Sequence, residues 1–219
     1  GFAGSTHLAI ISESIRETSG NNMPFGGYAL LLSIILIIAG FGFKISSVPF
    51  QMWVPDVYEG APTPVVAFLS VASKAAGFAI LLRVLYVAFP ILELDWALLF
   101  AVLAVLTMTT GNVVAMTQTN IKRLLGYSTI AHAGYMLVGL AAVASRTETG
   151  EGVFGPGSLL FYLSGYAATN LAAFFAIMAI SNRIDSDKIS DFAGMGRRAP
   201  VLALTLTFAM VSLIGIPPT

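Results

Sequence analysis

The chain has 219 residues, of which 57% are hydrophobic and only 10% charged. A soluble domain carries about 25% charge, so a water-facing globule is excluded and the bilayer is the natural solvent. Formal net charge is zero, 11 basic against 11 acidic residues, and there is no cysteine; a basic footprint for nucleic acid, disulfides, zinc–thiolate sites and thiolate-held iron–sulfur clusters all drop out.

A membrane-crossing helix needs about 20 mostly apolar residues. In chain order, residues 1–11 read as the tail of an earlier span, followed by a polar, Gly/Asn/Pro-punctuated connection at 12–27. Six stretches then meet or approach the length requirement: 28–50, 64–89, 96–118, 124–144, 156–181 and 200–217. A short acidic turn is expected at 90–95 and a flexible loop at 145–155, rich in residues that break helices. Residues 182–199 carry the densest run of charge and suit a polar surface connection or surface helix. The reading is an all-α, polytopic membrane helix bundle, one membrane domain over 1–219, and a fragment of a longer polypeptide because it starts on Gly1 and stops inside an apolar run.

Lys and Arg counts in alternate loops set orientation. The side with 51–63, 120–123 and 183–199 has the larger share and is expected to be cytoplasmic. Trp53, Tyr58, Tyr86 and Trp96 fall near the expected interfaces, where aromatic belts form.

A charged side chain at mid-bilayer costs about 2.5–3.5 kcal/mol on insertion scales and must face protein or water. Lys74 lies ten residues after Pro64, about 15 Å along a helix, too deep to reach the headgroups. Ser70 and Ser73 beside it suit a water-lined face. The competing reading is a lysine that pins helices through a buried ion pair, a device that adds little net stability. Lys44 follows sixteen largely apolar residues and precedes prolines at 49, 55, 62 and 64. A helix should break near Ser46–Pro49, leaving carbonyls that stabilise a cation; such breaks within membranes often mark ion sites. An ordinary snorkelling lysine is the alternative. His132 lies within 124–144 near Tyr127, Ser128 and Thr129. It suits a proton relay, or equally a hydrogen-bonded structural role. Lys122 and Arg123 read as topology anchors, and Asn112, Thr169 and Asn170 as polar groups holding water or bridging helices.

The stretch FKISSVPFQMWVPDVYEGAPTPVVAFLSVASK at 43–74 resembles the antiporter-like, proton-translocating membrane subunits of respiratory complex I, NADH:quinone oxidoreductase. QTNIKRLLGYSTIAHAGYMLVGL at 118–140 and SLIGIPPT at 212–219 match in the same order. WVPDVYEGAPTPV at 53–65 and the pair Ser73-Lys74, thirty residues beyond Lys44, are most similar to the N-type (chain 2) subunits.

The resemblance implies a fourteen-helix bundle with two inverted five-helix repeats, each with one discontinuous helix. This chain would supply about six of the fourteen. Lys44 then matches the lysine of the discontinuous seventh helix, Lys74 that of the eighth, and His132 a relay position of the tenth. The family often has PFH where this chain has Pro49-Phe50-Gln51, and Gln51 cannot titrate. The fifth-helix glutamate that would pair with Lys44 and the twelfth-helix lysine would lie beyond the two ends. The implied partners are other membrane subunits of complex I, the lipid bilayer, protons and internal water. The quinone belongs to the complex, no cofactor is expected on this chain, and the location is the bacterial inner membrane or a homologous organelle membrane. A cation/proton antiporter or membrane-bound hydrogenase subunit of the same ancestry is the second reading, a non-pumping scaffold the third.

Overall fold

The structure, a computed structural model, describes residues 4–20, 24–87, 96–144 and 154–215. Among the described residues the elements are helical, with one isolated antiparallel bridge between Asn120 and Lys188. They run α1 (Leu8–Gly20), α2 (Pro24–Ile45), α3 (Trp53–Gly60), α4 (Thr63–Phe68), a π-helical turn (Leu69–Ser73), α5 (Lys74–Val87), α6 (Trp96–Ala115), α7 (Ile121–Ala144), α8 (Phe154–Ile184), a 3-10 turn (Ile189–Phe192), α9 (Met195–Arg198) and α10 (Pro200–Ile214).

Among the described residues five segments are long and apolar enough to cross a membrane: Tyr28–Ile45, Thr63–Val84, Trp96–Ala115, Ile121–Ala142 and Gly157–Ile184. The sixth expected span, 200–217, is a 15-residue apolar helix as far as Ile214, and 216–217 lie outside the described residues. The acidic turn expected at 90–95 and residues 145–153 of the expected loop lie outside them too, while Phe154 and Gly155 open α8.

The first connection differs from expectation. Residues 12–20 are helical, part of α1. No glycine or proline interrupts Leu8–Thr18, and Leu8, Ile11 and Ile15 recur at helical spacing, with Ile15 packed in a small cluster with Ile34. Overall polarity concealed a stripe only one residue wide.

The main core lies where α3, α4, α5, α6, α7, α8 and α10 meet, around Val54, Phe78, Leu125, Ile130, Phe174 and Ile177. The α6–α7 seam is the closest. A Cβ on Gly111 would fall 2.6 Å from the Ala131 nitrogen, and one on Gly134 2.8 Å from the Met108 nitrogen. Small residues serve this purpose in membranes, where close backbone packing replaces the hydrophobic drive. Apolar side chains such as Leu32, Ile35 and Leu36 of α2, Val102 of α6 and Phe161 of α8 face outward, as a lipid or protein surround requires.

The 182–199 connection is not a surface helix. After α8 it folds back on the start of α7: the Ile121 N–H donates to the Asp187 carbonyl at 2.9 Å, and the Ile189 N–H to the Thr119 carbonyl at 2.9 Å. Lys122, only 7% exposed, pairs with Asp187 at 2.8 Å. Arg123 reaches Asp56 at 2.7 Å and Glu59 at 2.9 Å on α3. Both residues, read from the sequence as topology anchors, are thus also ion-paired between elements.

Candidate proton-relay site

The helix break falls where the prolines place it. α2 ends at Ile45, Ser46 takes φ 65°, and the Val48–Pro49 peptide is cis. The backbone groups freed by the break are partly recaptured. The Ser47 N–H donates to the Gly42 carbonyl at 2.9 Å, and the Phe50 N–H to the Ser47 carbonyl at 2.7 Å. Trp53 Nε1 donates to the Phe43 carbonyl at 3.0 Å. The Val48 N–H donates to Thr107 Oγ1 at 3.1 Å, and that hydroxyl donates onward to the Leu103 carbonyl at 2.6 Å. Thr107 of α6 thus anchors the break by its side chain. Ser46 Oγ and Gln51 Oε1 remain buried at the break without a hydrogen-bond partner, a condition that native structures normally relieve with water.

Lys44 occupies the last turn of α2 and is exposed. Its stem lies over Gly77 of α5, where an added Cβ would stand 3.2 Å from Lys44 Cγ and 2.9 Å from Ile45 Cγ2. Gly77 is about one turn beyond Lys74, so the α2–α5 contact joins the two lysine-bearing segments. Among the described residues Lys44 makes no ion pair.

Lys74 is enclosed, 2% exposed. It follows directly on the π-helical turn Leu69–Ser73, a local widening that frequently marks functional positions in helices. Its ammonium donates to the main-chain carbonyl of Thr129 on α7. No carboxylate pairs with it among the described residues, so the helix-pinning ion pair considered for it has no partner there. The Thr129 hydroxyl accepts from Tyr166 Oη of α8 at 3.1 Å. The Tyr58 hydroxyl, on α3, is close to Thr129 but forms no hydrogen bond of good geometry. Tyr58 is fully buried and so belongs to this hub, not to the interfacial belt expected for it. Ser70, inside the π turn, donates to the Ala67 carbonyl at 2.8 Å and accepts from Asn170 Nδ2 at 2.7 Å. Ser70 and Asn170 therefore bridge α8 to the lysine-bearing helix.

His132, 6% exposed, lies about one turn beyond Thr129 on α7. Three tyrosines surround its ring, with centroids at 5.5 Å for Tyr135, 6.0 Å for Tyr162 and 5.0 Å for Tyr166. Nδ1 is 2.6 Å from Tyr162 Oη. The backbone of Leu213, in the last turn of α10, also engages the ring. Lys74 and His132 thus border one polar seam, with Thr129 and Tyr166 between them. Lys44 stands apart at the α2 terminus. Sequence reading named Thr129 only as a neighbour and passed over Tyr162 and Tyr166. The signal was their spacing of four in FYLSGYAATN, which puts both on one face of α8.

The whole chain, residues 1–219, matches the family described as NADH:quinone oxidoreductase/Mrp antiporter, TM. The chain belongs to that family. It is 50% identical over its full length to NADH-quinone oxidoreductase subunit N of Dehalococcoides mccartyi, and covers 45% of that protein. The chain therefore spans about half the length of the curated relatives it matches. Among solved structures, a chain of respiratory complex I from Thermus thermophilus aligns at 37% identity with a TM-score of 0.64, over 85% of this chain and 39% of that one. A chain of the Mrp complex from Dietzia sp. aligns with a TM-score of 0.80 over 98% of this chain and 37% of the other; at 22% identity it shows the shared fold alone. Family and fold agree that this is a multi-pass membrane segment of the antiporter-like class.

Proposed function

We propose that the chain is part of the N-type membrane subunit of an NADH:quinone oxidoreductase and moves protons through Lys44, Lys74 and His132. Lys74 carries the reading. An amine held away from water, with a carbonyl rather than a carboxylate as its partner, is costly to keep. Its proton is held or released according to how close an anion or water stands. A buried amine so placed is suited to switching and poorly suited to cementing helices. The open side of Lys44 is where the family resemblance implies the fifth-helix glutamate. Movement of that carboxylate would toggle Lys44, Lys74 would take the proton on, and His132 would pass it towards the twelfth-helix lysine. Quinone reduction elsewhere in the complex would supply the energy, about 2.3 kcal/mol per charge for each 100 mV opposed.

The partners in this reading are other membrane subunits, lipid and internal water, with 182–199 on the cytoplasmic side of a bacterial inner membrane. The test is Lys44→Ala and Lys74→Ala in the full-length protein within its complex. Proton pumping and coupled quinone reductase activity should fall while the complex still assembles. Undiminished pumping in both variants would remove the relay, and a sodium dependence of transport would favour a cation/proton antiporter instead.

A further inference from the structure

Of the three tyrosines around His132, two have their hydroxyls engaged elsewhere. Tyr135 Oη accepts from Asn112 Nδ2 at 3.0 Å, and Tyr166 Oη donates to Thr129 Oγ1 at 3.1 Å. Tyr162 Oη alone among them meets a ring nitrogen, Nδ1, at 2.6 Å. With Nδ1 taken, Nε2 is the nitrogen left for the backbone of Leu213. That residue stands in the last turn of α10, whose final carbonyls have no partner within the helix. The imidazole is thereby held from α8 at Nδ1, with the end of α10 beside the ring.

A hydroxyl such as the phenol of tyrosine suits both protonation states of an imidazole without a charge of its own. Its O–H donates to a bare Nδ1; when Nδ1 carries a proton, the same oxygen accepts from it. A carboxylate would bias the ring towards its charged form, and an ammonium would oppose that form.

We propose that Tyr162 is a positioning residue for His132, holding Nδ1 in both protonation states so that the ring keeps one orientation throughout a proton cycle. One O–H bond of Tyr162 breaks as its proton passes to Nδ1, and one forms as the oxygen takes a proton from internal water, so the phenol is neutral before and after. The proposal rests on the relay reading of His132 and assigns the partner that makes it work.

The test uses the full-length protein in its complex, with Tyr162→Phe, His132→Gln and the double variant. Tyr162→Phe should lower coupled pumping by about tenfold, the size of losing one good hydrogen bond at a reacting group. The double variant should fall no further than His132→Gln alone, a non-additivity that a merely structural tyrosine would not produce. Wild-type pumping in Tyr162→Phe beside an impaired His132→Gln, or losses that multiply, would overturn the assignment. Full pumping in His132→Gln would remove the relay role of the histidine, and this proposal with it. Should Tyr162→Phe fail to assemble, 3-fluorotyrosine at position 162 keeps the shape and the hydroxyl. The nitrogen-15 resonance of His132 Nδ1 must then move, and a resonance unchanged by the fluorine would overturn the pairing.

Discussion

The two lysines sit in opposite surroundings although only thirty residues separate them. Lys74 is enclosed within this chain: the π-helical turn precedes it, the Thr129 carbonyl accepts from it, and Tyr166 and Asn170 bond to Thr129 and to Ser70 of that turn. Lys44, at a helix terminus opened by Ser46 and Pro49, is exposed, with its stem over Gly77. The difference separates a site that this segment builds from one to which it contributes a single member. A buried amine is held by its own fold, whereas an exposed one takes its properties from what stands opposite.

The largest expected effect that sharpens this contrast concerns activity. Lys44→Ala should lower coupled pumping in the full-length protein by about a hundredfold, the lower end for removing a proton-transferring group. Its stability, measured as thermal unfolding in detergent, should stay within about 0.5 kcal/mol because the head group is exposed and makes no ion pair among the described residues. A large loss of stability would show Lys44 to be structural. Gly77→Val attacks the contact joining the two regions. Its side chain would collide with Ile45 and crowd Lys44, at a cost of about 1–3 kcal/mol, and partial proteolysis should increase near the α2 terminus.

Outside the relay, Asp187→Asn removes the anion facing the enclosed Lys122. It should cost about 1–3 kcal/mol, read by thermal unfolding. The smallest effect belongs to Asp191, whose carboxyl is held below its ordinary value first by the Ser186 hydroxyl and then by that of Ser190. A lowered carboxyl contributes stability above its unfolded-state value and loses it as pH falls through the folded one. Hydrogen exchange in 186–191 should therefore quicken in acid, and Asp191→Asn should abolish that dependence.

Much of the fold was legible because apolar length is the dominant signal in a bilayer. Five expected spans appear as long apolar helices, and four prolines mark the break after Ile45. Lys74 and His132 were legible as polar residues in apolar runs. The π-helical turn was not, since LSVAS contains no residue that demands it. Nor were Tyr162 and Tyr166, because tyrosine is at home in membrane helices and only the partner on another helix gives it a role. Tyr58 misled for a related reason: its place near a span end suggested the interface, while α3 turns it inward to Thr129. The ion pairs of Lys122 and Arg123 join positions more than sixty residues apart, and no local pattern announces such contacts.

The most direct test is the number of protons moved per electron in vesicles carrying the assembled complex with Lys74→Ala. The relay predicts that quinone-linked turnover yields fewer protons than the parent complex while the subunits remain together. An unchanged ratio at unchanged turnover would contradict a proton-carrying role for the enclosed amine.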